Sequence, residues 1–125
     1  MSSILLYLDI QMWTVKDSPV HGRGLFAAVD IPANTRIADY NGIEMTLKEF
    51  KLQHGSDYRC TYRMQRVGKI INGKDFDNPQ HYCNESLTPN LICKKKGLYT
   101  IAAVKVGDEL FLRYFKEYPR NYILQ

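Results

Sequence analysis

The chain has 125 residues, the length of one domain, which excludes two independent catalytic lobes. With 45% hydrophobic, 24% charged and 12% aromatic residues it has the composition of a self-folding globular protein, not of a disordered tail or a disulfide miniprotein. Seventeen Lys and Arg against thirteen Asp and Glu leave a net charge of +4, which favours an anionic partner only mildly.

In chain order, the apolar run Ile4 to Ile10 is short, is broken by Asp9, and has neither the basic n-region nor the cleavage pattern of a signal peptide. It reads as the start of a buried strand running to Val15. Further β-type segments are expected at Gly24 to Val29, Arg36 to Tyr40, Arg59 to Val67, Lys69 to Ile71, Leu91 to Lys94, Leu98 to Val104 and Glu109 to Phe115. Between them, Ile31-Pro32-Ala33-Asn34-Thr35 and Val106-Gly107-Asp108 have turn chemistry, and both are expected to be hairpin connections. One short helix is predicted over Thr46 to His54: Thr46 and Glu49 make a T-x-x-E capping box, Leu47 and Phe50 share a face, and Gly55 suits the position after the last turn.

Cys60, Cys83 and Cys93 are an odd number without C-x-x-C spacing, which rules out a disulfide framework and a four-cysteine zinc site and points to a reducing compartment. They read as small buried hydrophobes. Lys94-Lys95-Lys96, the basic run, is shorter than a typical nucleic-acid patch and reads as a solvated turn. A loose echo links Ala27-Ala28-Val29-Asp30-Ile31, with its following strand ending at Tyr40, to Ala102-Ala103-Val104-Lys105-Val106, with its strand ending at Tyr114. Either similar turns demand similar residues, or the two tyrosines line one site.

Gly22-Arg23-Gly24 lacks the third glycine and the helix context of a dinucleotide fold. Taken alone it is a turn, and Asn84 to Asn90 alone is a loop. Their order gives them more meaning. Gly22-Arg23-Gly24-Leu25-Phe26-Ala27, Asp39-Tyr40-Asn41-Gly42, Asn84-x-Ser86-x-x-Pro89-Asn90 and Gly107-Asp108-Glu109-Leu110-x-x-x-Tyr114 together resemble the SET domain of protein lysine methyltransferases. They match that family's G-x-G-x-F-A, E-Y-x-G, N-H-S-C-x-P-N and G-E-E-L-x-x-x-Y in register. Three positions depart from the pattern: Glu85 stands in place of His, Leu87 in place of Cys, and Asp39 in place of Glu.

The resemblance implies a single SET domain over residues 1–125, with the motif-bearing core at about 14–115 and an aromatic tail at 116–125. The implied fold is mainly β, with several short-stranded sheets, one or two short helices and a knot-like C-terminal crossing. It also implies S-adenosylmethionine as cofactor, a protein or peptide lysine as substrate with histone tails foremost, and an intracellular location in the nucleus or on the chromosome. Contact with nucleic acid is implied only indirectly, through chromatin, and neither a metal nor a membrane is implied. A homodimer that completes a substrate groove stays open.

By the same matching, Tyr114 and Tyr40 take the catalytic positions, and His21, Gly22, Arg23, Gly24, Tyr58, Asn84 and Glu85 the cofactor positions. Leu112, Phe115 and Tyr118 line the substrate channel, with Tyr122 extending the aromatic tail. Leu112 stands where a phenol would restrict methylation, which leans toward more than one methyl group.

The residue types suit that chemistry. A free lysine amine has a pKa of about 10.4, so a methyl acceptor must lose its proton. Aromatic walls that exclude water disfavour the ammonium, and tyrosine hydroxyls add hydrogen bonds. Asn84 offers both donor and acceptor groups to a cofactor's amino-acid end. Each residue also has a plain structural reading, as a packed strand-end tyrosine, a glycine turn or a loop asparagine. Two other functions remain open: a catalytically silent SET-like module that binds peptide, and a small basic β-barrel that binds nucleic acid through tyrosines and Lys94 to Lys96.

Overall fold

The computed structural model describes residues 11–54, 61–64, 68–114 and 124. The expected strand segment Ile4 to Ile10 and the residues Gly55, Tyr58, Cys60, Phe115, Tyr118 and Tyr122 lie outside the described residues.

Among the described residues ten strands form three small sheets and one helix packs beside them, the mainly β architecture expected. In the first sheet β1 (Trp13–Asp17) and β2 (Arg23–Ala27) make an antiparallel hairpin, with Val15 opposite Leu25. Ser18 shapes its loop, its Oγ accepting from the backbone N–H of Val20 at 3.0 Å while its own N–H donates to the Gly22 carbonyl at 2.7 Å. On the other side of β2 lies β10 (Glu109–Leu112), antiparallel, and beyond it β7 (Asn84–Glu85), parallel to β10. With neighbours on both edges, β2 buries Gly24 through Ala27 without the in-out alternation of a surface strand.

The second sheet has the order β3 (Arg36–Asp39), β9 (Gly97–Thr100), β8 (Leu91–Lys94), all antiparallel. In the third, β6 (Lys69–Asn72) lies between β4 (Ile43–Thr46) and β5 (Thr61–Met64). Helix α1 (Leu47–His54) follows β4 directly. The Glu49 N–H donates to Thr46 Oγ1 at 3.1 Å, and Glu49 Oε1 accepts from the Thr46 N–H at 3.3 Å, the reciprocal pair expected of the capping box. The helix buries Phe50 against Met45 and Ile70, with Leu47 packed alongside. The main core is separate and is built from Leu25, Ala27, Ile31, Cys83, Leu91, Leu98, Val104, Leu110 and Leu112.

The segments around Ile31–Thr35 and Val106–Asp108 do turn the chain, but they are not hairpins. Each joins strands of different sheets, β2 to β3 and β9 to β10. Turn chemistry fixes a reversal without choosing the partner strand. The echoing segments instead pair with each other: Ile31 and Val104 exchange both backbone hydrogen bonds at 2.9 Å, and Asp30 Oδ1 accepts from the Val106 N–H. Two short strands, β4 and β7, escaped the pattern reading, as did the 3-10 turn Pro79–Tyr82 that leads into β7.

Candidate active site

Asn84 joins three parts of the chain. Its Nδ2 donates to the carbonyl of His21 at 2.9 Å and to Glu109 Oε2 at 3.0 Å, with the Arg23 carbonyl at 3.4 Å. The segment His21-Gly22-Arg23-Gly24 is thereby fixed beside β7, as the motif order required. Glu109 completes the join, for its carboxylate also accepts from Ser18 Oγ at 2.8 and 2.9 Å. Gly24 is bare because a Cβ there would stand 2.6 Å from Glu109 Oε2. Gly22 differs: its φ of +45° is left-handed, and the space where a Cβ would be is open.

Glu85, the next residue, points inward. It is 7% exposed, and its Oε2 accepts from the backbone N–H of Tyr114 at 3.1 Å. The Tyr114 hydroxyl donates to the carbonyl of Cys83. The segment Cys83 to Glu85 therefore grips Tyr114 at both its backbone and its phenol. Asn90 secures the strand before it, donating from Nδ2 to the Glu109 carbonyl at 3.0 Å and accepting at Oδ1 from the Phe111 N–H at 2.8 Å.

Tyr40 is buried, and its hydroxyl lies 3.1 Å from His81 Nε2, with the two rings edge to face at 5.7 Å. Gly73 makes room for it, since a Cβ there would meet the Tyr40 hydroxyl at 2.7 Å. Fully buried Asn78 pins the adjoining chain through both backbone groups of Asn41, each at 2.8 Å. The structure thus ties both tyrosine hydroxyls to one short stretch, His81 to Cys83, which runs straight into Asn84. Leu112 lies in the main core, 7% exposed, with its carbonyl accepting from the Ser86 N–H.

The electrostatics follow from burial. His81 has its pKa held below the ordinary value by desolvation, opposed in part by nearby Asp77, so its imidazole is neutral at pH 7. Burial pushes the Cys83 thiol well up and the Cys93 thiol up to about 12. Both are therefore protonated and are not nucleophiles. Among the described residues no group of His, Cys, Asp or Glu is placed to hold a metal ion, and no helix is long and apolar enough to cross a membrane.

Polar capacity for a ligand is present. The side-chain hydrogen bonds of Asn84 among the described residues all run through Nδ2, which leaves Oδ1 as an acceptor. Gln80, 8% exposed in the 3-10 turn, has neither amide atom partnered, an arrangement that a bound polar group would relieve.

The SET domain family model matches residues 22–115. The chain belongs to the SET domain family. Two curated relatives are 30% identical to it over 114 residues, the histone-lysine N-methyltransferase SETD2 of Mus musculus and that of Homo sapiens. The alignment covers 77% of this chain and 4% of each relative, so the SET chain spans a small fraction of their length. Members of the family are typically protein lysine methyltransferases, which use S-adenosylmethionine. Within the SET match lie Gly22, Arg23, Gly24, Tyr40, Tyr58, Asn84, Glu85, Leu112, Tyr114 and Phe115, while His21 precedes it and Tyr118 follows it.

Ser18 received no role from the sequence, and Asn78 and His81 stand only within the stretch Asn78 to Asn84, which resembles the family's lead into its asparagine motif. Ser18 meets Glu109 across 91 positions and Tyr40 meets His81 across 41, and no local pattern signals either pairing. Glu109 and Asn90 sit inside quoted motifs, and that was the available signal for them.

Proposed function

We propose that the protein is an S-adenosylmethionine-dependent protein lysine N-methyltransferase that acts on histone tails in the nucleus, with residues 1–125 forming one SET domain. The observation that carries this reading is the convergence on one stretch, His81 to Asn84, of both tyrosine hydroxyls and the Gly22-Arg23-Gly24 segment. A cofactor side and a lysine side would then share one short stretch of chain, the end of the 3-10 turn and the start of β7.

On this reading the exposed backbone of His21 to Arg23 and the free acceptor of Asn84 hold the cofactor's amino-acid end, with Tyr58 beside them. Glu85 contributes from behind by fixing the Tyr114 backbone. S-adenosylmethionine, when bound, supplies a methyl group on a positively charged sulfur. The chain's own task is to present a neutral amine in line with that methyl. Tyr114 contacts the amine and Tyr40 forms the adjoining wall, with Phe115 and Tyr118 extending the channel. Aromatic surfaces remove water from the ammonium and so favour its neutral form. Leu112 brings no hydroxyl to hold the amine, which supports the addition of more than one methyl group. Glu44, Asp75 and Asp77, all exposed, offer charges for a basic tail.

Titration calorimetry with S-adenosylmethionine tests the cofactor half of the proposal, and an absence of binding heat overturns it. Mass spectrometry of core histones incubated with protein and cofactor tests the other half. A methyl mark made by the wild type and lost in Tyr114→Phe is expected. Cofactor binding with no mark on any protein would favour the silent peptide-binding module.

A further inference from the structure

The β8–β9 hairpin turns in two residues. Lys94 pairs with Gly97, leaving Lys95 and Lys96 as the loop, at φ +50° and +58°. Two positive φ values are what a two-residue hairpin needs, and Asn-Gly meets that need without strain. Lysine carries a Cβ that opposes the left-handed backbone.

Strained residues persist where their surroundings hold them, and here Arg36 does so. Its Nη1 donates to the Lys95 carbonyl and its Nη2 to the Lys96 carbonyl, each at 3.3 Å, while the Tyr40 N–H donates to the Lys96 carbonyl at 2.8 Å. Gly97 admits the guanidinium, for a Cβ there would lie 2.5 Å from Arg36 Cζ. Lys94 Nζ stands 4.8 Å over the Tyr99 ring and Arg36 Cζ 5.3 Å from it. Arg36 Nη1 also donates to the Tyr99 hydroxyl at 2.7 Å. Asp39 pairs with Arg36 at 2.6 Å. Arg36, Lys94, Lys95 and Lys96 thus gather at one tip, with the three lysines exposed.

Asn-Gly would suit the two left-handed positions better than the two lysines do. We propose that the Lys94–Lys96 tip binds the phosphate backbone of duplex nucleic acid directly. A protein partner needs an apolar, shape-matched centre to its interface. A duplex carries one charge per about 1.7 Å of axis and is held by ammonium groups alone. This contact is independent of the methyltransferase reading.

The test is fluorescence anisotropy of the full chain with a labelled DNA duplex of arbitrary sequence, over a series of sodium chloride concentrations. Wild-type affinity should fall steeply with salt. Lys95→Asn combined with Lys96→Gly removes two charges and suits the backbone of the turn, and circular dichroism with thermal melting checks that it is folded. Its affinity should nonetheless drop about tenfold or more at low salt, and its log–log salt slope should shrink by about two. Lys94→Glu, placed on the strand, should weaken binding without disturbing the turn. Unchanged affinity and slope in either variant would overturn the proposal. So would equal or tighter binding of a polyglutamate peptide in competition with the duplex, since that would assign the tip to acidic protein.

Discussion

The four-stranded sheet and the third sheet with its helix are built in opposite ways. Around β7 and β10, polar side chains bridge residues far apart in the chain: Asn84 reaches His21 and Glu109, Glu85 reaches Tyr114, and Asn90 reaches Glu109 and Phe111. Around α1 the polar contacts are local, with Thr46 and Glu49 capping the helix, and the packing is apolar, with Met45, Phe50 and Ile70 in a small cluster. A site that needs several distant segments at fixed places is cross-linked by side-chain hydrogen bonds to backbone and carboxylate groups of those segments. A helix that only closes an apolar face needs no such links.

The comparison is tested hardest at Tyr114. Tyr114→Phe keeps the ring and removes the hydroxyl, so the proposed methyl transfer should slow on the order of 100-fold or more, read as single-turnover rate. Losing the bond to the Cys83 carbonyl should cost only about 1 kcal/mol of stability by urea denaturation. Rate and stability falling in proportion would mean that the hydroxyl is merely structural.

Asn90→Ala strands both a carbonyl and an N–H on β10 and should cost about 2–3 kcal/mol. Chemical denaturation with circular dichroism measures it. A loss below about 0.5 kcal/mol would place Asn90 among ordinary surface substitutions and would break the claim that long-range polar links hold this sheet.

The legibility of the sequence divides along the same line. The capping box predicted α1, because cap, helix and apolar face lie within nine residues. The motifs group Tyr40, Asn84 and Tyr114, and the structure ties the Tyr40 and Tyr114 hydroxyls to His81 and Cys83, next to Asn84. Strand β7 was missed because two residues cannot show a period. The turns at Ile31–Thr35 and Val106–Asp108 were read as hairpins because Pro and Gly specify a reversal but not the strand that follows it. The pairings of Ser18 with Glu109 and of His81 with Tyr40 were not legible for a similar reason. A hydroxyl 91 residues from its carboxylate, or an imidazole 41 residues from its phenol, leaves no local trace.

His81 yields a smaller effect, governed by pH. Burial holds its folded-state pKa below the ordinary 6.5, so above that value the residue contributes no pH dependence. As pH falls through 6.5 toward the folded value, the unfolded chain takes the proton first and stability declines. Comparing wild type and His81→Gln at about pH 7.5 and about pH 5 should show a smaller acid loss in the variant. An equal loss would mean that His81 is not desolvated and that its contact with Tyr40 is open to water.

The smallest effect belongs to the helix, and it tests whether local construction keeps damage local. Thr46→Ala removes the oxygen that accepts from the Glu49 N–H and leaves Glu49 without the hydroxyl that donates to it at 3.0 Å. Loss of such a cap costs about 1 kcal/mol, whereas Thr46→Ser, which keeps the oxygen, should cost a few tenths at most. Native-state hydrogen exchange is the discriminating measurement, because it separates local opening from global unfolding. Faster exchange in Thr46→Ala should be confined to the first turn of α1 and adjoining β4, while the amides of β2 and β10 keep their protection. The two regions have separate apolar cores, Phe50 with Met45 and Ile70 in one and Leu25 with Leu110 in the other. If exchange instead rises equally in β2 and β10, the two regions unfold as one unit, and the contrast between them is one of construction and not of stability.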